Sequence, residues 1–425
     1  MGIFDYEEDI EEIQYGDEII DETENEYLRD SEKALELIGT ILSKSERTLY
    51  EVKNLQKLDN ILDVNLLGSL EKIQLDNEAK LQMKLLQLSD RLLEQKKYQV
   101  LKEKSIVGIG GKFSAGKSRF INSILNGDRE LLPEDQNPTT SIPTYIVYGE
   151  KEIISAYTME NNAVNLDVSA MQALTHKFFE KYNMGFSAFI NSLIIKEPNM
   201  PYQNIAFLDT PGYSKADTST NSRLQKNLSD KTRASQQLKS VDYMIWLVDI
   251  ENGVLSETDI DFILSLNIET PVLIVVNKAD KKTDNEICEI VEQIRMTAQE
   301  AGIDCFVTAY SSRNCQEWNQ ENQIQKFLQM ASEKRINRDD ILMQIHQIEE
   351  QISQEIKEKI SMKRQERNDL KDIIYQSDNI MEIKAVVNIY GEKIKDVRDM
   401  MKCKDSFCNN SKELENLLNK HFERN

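Results

Sequence analysis

The sequence predicts an α/β domain, a doubly wound mixed sheet with a phosphate loop, inserted into an α-helical bundle formed by the N- and C-terminal flanks. Three observations carry that expectation. A complete G-x-x-x-x-G-K-S run spans Gly111 to Ser118, after an apolar strand-like segment and before a helix-like one. All seven prolines lie between Pro133 and Pro271, so residues 1–132 and 272–425 contain none. Proline breaks helices, so turns concentrate in the centre and the flanks are free to run as long helices. Both flanks also carry apolar stripes at helical spacing.

The chain is 425 residues long, enough for two or three domains. With 40% apolar and 29% charged residues it falls among soluble globular proteins. A net charge of -21 argues against wholesale binding of nucleic acid, because nothing offsets phosphate repulsion. The longest apolar runs, Tyr243–Val248 and Pro271–Val276, are strand-sized and too short to span a bilayer. The N-terminus lacks the basic and apolar regions of a secretory signal, and Tyr6 stands where N-myristoylation prefers Ser or Thr. The five cysteines form no disulfide framework. The expected location is cytoplasmic, with a peripheral position at a membrane as the other option.

In chain order, residues 1–30 hold five Asp and eight Glu against one Arg, a composition expected to stay extended and solvated. Ile3, Phe4, Tyr6, Ile10, Ile13, Tyr15, Ile19 and Ile20 interleave with those charges, which suits a segment that orders on a partner. Residues 31–104 read as helical: Leu35, Ile38 and Leu42 share a face, as do Leu81, Leu85, Leu88 and Leu92. Residues 105–315 read as strand–turn–helix units. Expected strands are Ser105–Gly110, Ser192–Lys196, Asn204–Asp209, Val241–Asp249, Val272–Val276 and Cys305–Thr308, the second and third pairing as an antiparallel hairpin. Residues 316–425 return to helix. Ile341, Ile345, Ile348, Ile352, Ile356 and Ile360 form a stripe expected to pack on 31–104, and Ser377-Asp378 and Ser411 are expected to cap two further helices.

In the phosphate loop Gly111, Lys112, Phe113, Ser114, Ala115 and Gly116 present backbone N–H groups to a β-phosphate. Lys117 neutralises the β/γ oxygens, and Ser118 offers a hydroxyl to Mg²⁺. Asn277-Lys278-Ala279-Asp280 directly follows a strand, at the end of the sheet where ligands sit. An Asp there accepts from both N1–H and the 2-amino group of guanine, donors that adenine lacks. Asn277 would brace the loop and the Lys278 stem would cover the base. Asp209-Thr210-Pro211-Gly212 supplies D-x-x-G, with Asp209 for Mg²⁺ and the Gly212 N–H for the γ-phosphate. Thr139 and Thr140 occupy the loop where a threonine completes the Mg²⁺ shell, and Thr308-Ala309-Tyr310 can touch the guanine edge by backbone. The combination predicts a P-loop GTPase domain using GTP/GDP and Mg²⁺.

These motifs, with Phe120-Ile121-Asn122-Ser123-Ile124-Leu125, Leu131-Leu132-Pro133 and Pro138-Thr139-Thr140, resemble the N-terminal GTPase domain of the dynamin family, especially its bacterial members. The resemblance runs from Ser105 to Tyr310. It implies a GTPase stimulated when two G domains meet face to face, as a homodimer or a heteromer with another dynamin-like protein. It further implies that Ser114 orients the attacking water with a monovalent cation nearby, and that Thr140, in T-x-x-P before Pro143, is the switch threonine. About 90 residues follow Asn337, so the resemblance is to a short form without trunk and membrane paddle. Tyr213 follows Gly212, so the water-positioning Gln of Ras-like GTPases is absent. With no arginine finger legible, turnover of the isolated domain is expected to be slow.

Two roles fit: a dynamin-like GTPase acting at membranes with a longer partner, and a soluble GTP-dependent switch that recruits a protein through the acidic N-terminus. Cys403, Cys408 and His421 have poor zinc spacing. His176 and His346 lack ligand partners in the pattern, and both read as structural. The basic stretch Lys357, Lys359, Lys363, Arg364, Arg367 and Lys371 alternates with Glu358, Glu366 and Asp369, as on a solvated helix face.

Overall fold

The computed structural model describes residues 25–42, 57–58, 60–70, 73–112, 114–125, 131–132, 142–158, 163–174, 178, 181–182, 186, 189–210, 238, 240–265, 271–318, 322–333 and 338–422. The strands are β1 Ser105–Gly111, β2 Thr144–Tyr148, β3 Ile153–Thr158, β4 Ala163–Leu166, β5 Ile190–Glu197, β6 Ile205–Asp209, β7 Tyr243–Asp249, β8 Val272–Asn277, β9 Cys305–Ser311 and β10 Gln316–Trp318. The helices used below are α1 Glu26–Arg29, α2 Ser31–Leu42, α3 Glu78–Lys97, α4 Lys117–Ile124, α5 Val168–Ala173, α6 Glu257–Ser265, α7 Asp284–Glu300, α8 Gln323–Glu333, α9 Arg338–Gln376 and α10 Ile380–Phe422.

Among the described residues the strands form one sheet in the order β10-β9-β8-β7-β1-β6-β2-β5-β3-β4. β9, β8, β7, β1 and β6 run parallel, while β2 lies antiparallel to β6 and parallel to β5. Continuous apolar runs explain the centre of the sheet: β1, β7 and β8 are buried along their whole length, as strands covered on both faces must be. The expected hairpin between 192–196 and 204–209 is not formed. β2 sits between them, with Thr144 opposite Leu193 on one side and Asp209 on the other. The connection from Glu197 to Ile205 carries Pro198 and Pro201 and is longer than tight hairpins use, which leaves room to step across one strand.

The isoleucine stripe is buried as expected. Ile341, Ile345, Ile348, Ile352, Ile356 and Ile360 pack in one core with Leu81, Leu85, Leu88 and Leu92 of α3, with Leu58, Leu62, Leu66 and Leu70, and with Met400, Phe407, Leu414 and Leu418 of α10. Cys403 and Cys408 line the same core. α2 behaves differently. Its buried face is Ala34, Leu37 and Ile41, packed with Ala156, Ala170, Ala173, Phe178 and Ile190 of the α/β body, while Leu35 and Leu42 are exposed. The small Ala34 completes a stripe one position from the one the larger side chains suggested, and its partner is the sheet edge rather than the bundle.

Two expected caps also differ. Asn379, not Ser377 or Asp378, starts α10, its Oδ1 accepting from the N–H groups of Met381 at 3.0 Å and Glu382 at 3.4 Å. Ser411 lies within the unbroken α10 and donates to Glu349 Oε1 at 2.5 Å, so its hydroxyl is satisfied across the bundle. Of the basic stretch, Lys359 pairs with Asp76 at 2.7 Å and Lys363 with Glu366 at 3.0 Å.

Candidate functional site

The site gathers at the carboxyl ends of β1, β6, β7 and β8, beside the point where the chain direction in the sheet changes. β1 delivers the phosphate loop into α4. Gly111 has φ 140° and Gly116 φ 82°, a region that L side chains rarely adopt. A Cβ at Gly111 would lie 2.6 Å from Leu247 O, and one at Gly116 2.6 Å from Asn277 Nδ2, so both positions require glycine. Ser114 also has a positive φ, 65°, and is exposed.

Lys117 opens α4 with its side chain buried, and its ammonium donates to the carbonyls of Gly111 at 3.3 Å and Lys112 at 3.2 Å. Burial lowers its pKa, an effect that the nearby Asp209 carboxylate opposes. Asp209 ends β6 and is fully buried, and Ser118 Oγ donates to its Oδ2 at 3.0 Å. Burial pushes the Asp209 carboxyl up to about 6, while Lys117, the Ser118 hydroxyl and the Thr210 backbone pull it back down. Its other oxygen, Oδ1, is buried with no hydrogen-bond partner among the described residues. An orphaned carboxylate oxygen beside a serine hydroxyl is a donor set suited to Mg²⁺, which takes one or two protein oxygens and completes its shell with phosphate and water. Among the described residues no group of three His, Cys, Asp or Glu forms a cage of its own.

The second half of the site follows β8. Asn277 is buried and donates through Nδ2 to Ala115 O at 2.9 Å, joining the loop after β8 to the phosphate loop. Lys278, in the left-handed region at φ 62°, donates to Asp249 Oδ2 at 2.6 Å. Asp280 is half-buried, and its Oδ1 accepts from Ser311 Oγ at 2.5 Å. Ser312 closes the pattern, donating to Asn277 Oδ1 from its N–H at 3.2 Å and its hydroxyl at 2.8 Å.

Sequence reasoning missed Ser311 and Ser312, and offered to the guanine edge the backbone of Thr308 and Ala309. Both of those lie inside β9: Ala309 pairs with Val276 and Trp318, and Thr308 Oγ1 donates to Glu317 Oε1 at 2.7 Å. The strand runs on through Ser311 and brings the next residues to the base-reading loop. Phe113, Thr139, Thr140, Gly212, His176 and most of the acidic N-terminal segment lie outside the described residues. Gly111, Lys112, Ala115, Gly116, Lys117, Ser118 and Asp209 converge on one side of the site, and Asn277, Lys278 and Asp280 on the other.

A phosphate-loop sequence, a serine–aspartate pair and an N-K-x-D loop thus stand together at one end of a largely parallel sheet. The family described as the Dynamin family matches residues 107–280 of the chain. Dynamin-like protein 2 of Campylobacter jejuni is 28% identical over 187 residues, 44% of this chain and 27% of that protein. Human EH domain-containing protein 3 is 26% identical over 189 residues, 44% of this chain and 33% of that protein. The chain thus spans a third or less of the relatives it matches. A solved bacterial dynamin pair, described as oligomerised and as sensing and tethering membranes, superposes with a TM-score of 0.39 at 18% identity, covering 92% of this chain and 74% of that one.

Proposed function

We propose that this chain binds GTP with Mg²⁺ and hydrolyses it to GDP and phosphate, acting as a dynamin-like GTPase. The observation that carries the reading is the chain of contacts Asp280–Ser311 and Ser312–Asn277–Ala115, which fixes a guanine-reading carboxylate relative to a phosphate loop. Asp280 has one oxygen held by Ser311 and is left half-exposed, where it accepts the paired donors of guanine.

In the proposed mechanism Lys117 and the loop N–H groups hold the β- and γ-phosphates, Asn277 keeps the loop in place, and Ser118 with Asp209 holds the metal. Bound there, Mg²⁺ supplies charge neutralisation at the β/γ oxygens. Ser114 and Thr140 place the water that attacks in line. The absence of Gln after Gly212 supports activation by a second G domain or a partner chain across the nucleotide face. No helix among the described residues is long and apolar enough to cross a membrane; the membrane role proposed for the chain is one shared with a longer partner.

Nucleotide titration tests the reading. GTP is expected to bind far more tightly than ATP, with Mg²⁺ dependence, and Asp280→Asn is expected to shift preference toward xanthine nucleotides. Equal affinity of the parent for ATP and GTP would refute it. Specific activity that rises with protein concentration, and a dimer trapped by GDP with aluminium fluoride, are expected of self-activation.

A further inference from the structure

We infer that Asp259, on a helix outside every nucleotide motif of the chain, is a positioning residue that holds the phosphate loop through Lys112. The inference rests on the nucleotide-binding reading above. Lys112 is the second residue of the loop, and its ammonium is engaged by the first turn of α6, where it contacts Asp259 Oδ2 at 2.8 Å and the Ser256 hydroxyl. The same carboxylate oxygen accepts from Ser256 N–H at 3.2 Å and Ser256 Oγ at 2.5 Å, and the Asp259 N–H returns a bond to Ser256 Oγ at 3.3 Å.

A helix-start box alone does not account for this arrangement. α7 begins with the same device, Thr283 and Glu286, and there the carboxylate side chain is 48% exposed with Lys282 at 3.6 Å. At α6 the carboxylate is 3% exposed, which is costly without a paired charge, and the pairing cation comes from the phosphate loop. The loop in turn needs anchoring. Ser114 is a non-glycine residue in the left-handed region, a conformation that persists only where its surroundings over-determine it. Asn277 holds the far side of the loop at Ala115 O, and Asp259 holds the near side at Lys112. Between loop and helix remains a cavity of about 10 Å³ lined by Lys112, Ala115, Asp249, Val254 and Asp259, room for one water at most. Loss of the Asp259 charge therefore frees Lys112 and lets the loop leave the geometry in which its N–H groups converge.

The test compares the full chain with Asp259→Asn, Lys112→Gln and the double variant, by fluorescent-GDP titration, GTP hydrolysis kinetics and thermal unfolding without nucleotide. Each single change is expected to weaken GDP binding about 10-fold and to raise KM for GTP similarly while kcat moves less than about 3-fold. The double variant is expected to lose no more than about 2-fold beyond either single, because one interaction is removed twice. Thr283→Ala, at the solvent-exposed box, is expected to lower the unfolding temperature with GDP affinity unchanged. Should Asp259→Asn fail to fold, Lys112→Gln reports the same pair from its more accessible end. Parental GDP affinity in Asp259→Asn, or in Lys112→Gln where that is the variant that folds, would overturn the inference, as would losses that multiply in the double. A parent that binds no guanine nucleotide would refute the nucleotide reading itself and this inference with it.

Discussion

Arg91 on α3 reaches out of the helical bundle and donates through Nη2 to Asp242 Oδ2 at 2.8 Å and to Lys104 O at 2.7 Å. Asp242 stands at the entrance to β7 and also accepts from the Ile106 N–H of β1 at 2.7 Å, so one carboxylate ties the bundle to two central strands. Both side chains are buried, at 4% and 9% exposure. Arg91→Met keeps the aliphatic volume and removes the charge, taking the guanidinium from the buried Asp242 carboxylate and a donor from Lys104 O. Stripping one member from a buried pair costs about 3–5 kcal/mol. Here the low end applies. Nε and Nη1 have no hydrogen-bond partner among the described residues, and the Glu94 carboxylate stands 4.0 Å from Nη1, so the native guanidinium already carries an unreturned desolvation cost. We expect a loss of about 3 kcal/mol, of which Arg91→Met/Asp242→Asn recovers at least about 1 kcal/mol because the buried charge that lost its guanidinium is removed as well. Urea unfolding followed by tryptophan emission is the assay, since Trp246 lies fully buried in β7. A loss below about 1 kcal/mol in the single variant, or strict additivity in the double, would refute the reasoning.

Ile352 is fully buried in the bundle core, and Ile352→Ala is expected to destabilise by about 2–5 kcal/mol, read as a lower urea midpoint with nucleotide affinity retained. Glu94, which accepts from Tyr145 Oη at 2.7 Å, is pushed up to about 7 by burial, with Arg91, Tyr145 and Ser240 opposing the shift. The folded chain then holds a proton that the unfolded chain has released from about pH 4.5 upward. Stability is expected to fall by about 1 kcal/mol per pH unit from there to about pH 7, and Glu94→Gln should flatten that slope in a pH series of unfolding curves. Lys117→Ala is expected to abolish nucleotide binding, whereas Thr140→Ala is expected to spare binding and remove hydrolysis; normal hydrolysis by the latter would move the switch role to Thr139.

What could be read from sequence was what is local. The phosphate loop and Asn277–Asp280 are short segments whose chemistry resides in consecutive residues, and the strand expected ahead of each is present. The isoleucine stripe was legible for a similar reason, since a period of three and four residues reports a helix face whatever lies opposite. The strand order was not. Nothing within 192–209 signals that the five residues of β2 will slide between its two strands. Ser311 was hidden because the apolar part of β9 ends earlier than the strand, which is prolonged by pairing with the three residues of β10. Ser411 resembles a cap locally, and only Glu349, 62 positions away and one helix over, shows why the helix continues. Ala34 carries too little apolar surface to mark a face by itself, so the stripe on α2 was assigned to its larger neighbours.

The hairpin of α9 and α10 has a mechanical consequence. α9 is 39 residues long, about 58 Å at the rise of an α-helix, and its base is wedged between the leucines of α3 and the core-facing side of α10. From Ser361 to Asp396 no described residue is buried, so among the described residues the outer part of the hairpin is held by its own seam. An arm of that length multiplies displacement: a tilt of about 5° where α3 meets the sheet swings the turn at Ser377–Asn379 through about 5 Å. A tilt of that size at the Arg91–Asp242 joint would therefore reach the turn between the two helices as a displacement about as wide as one helical turn is tall.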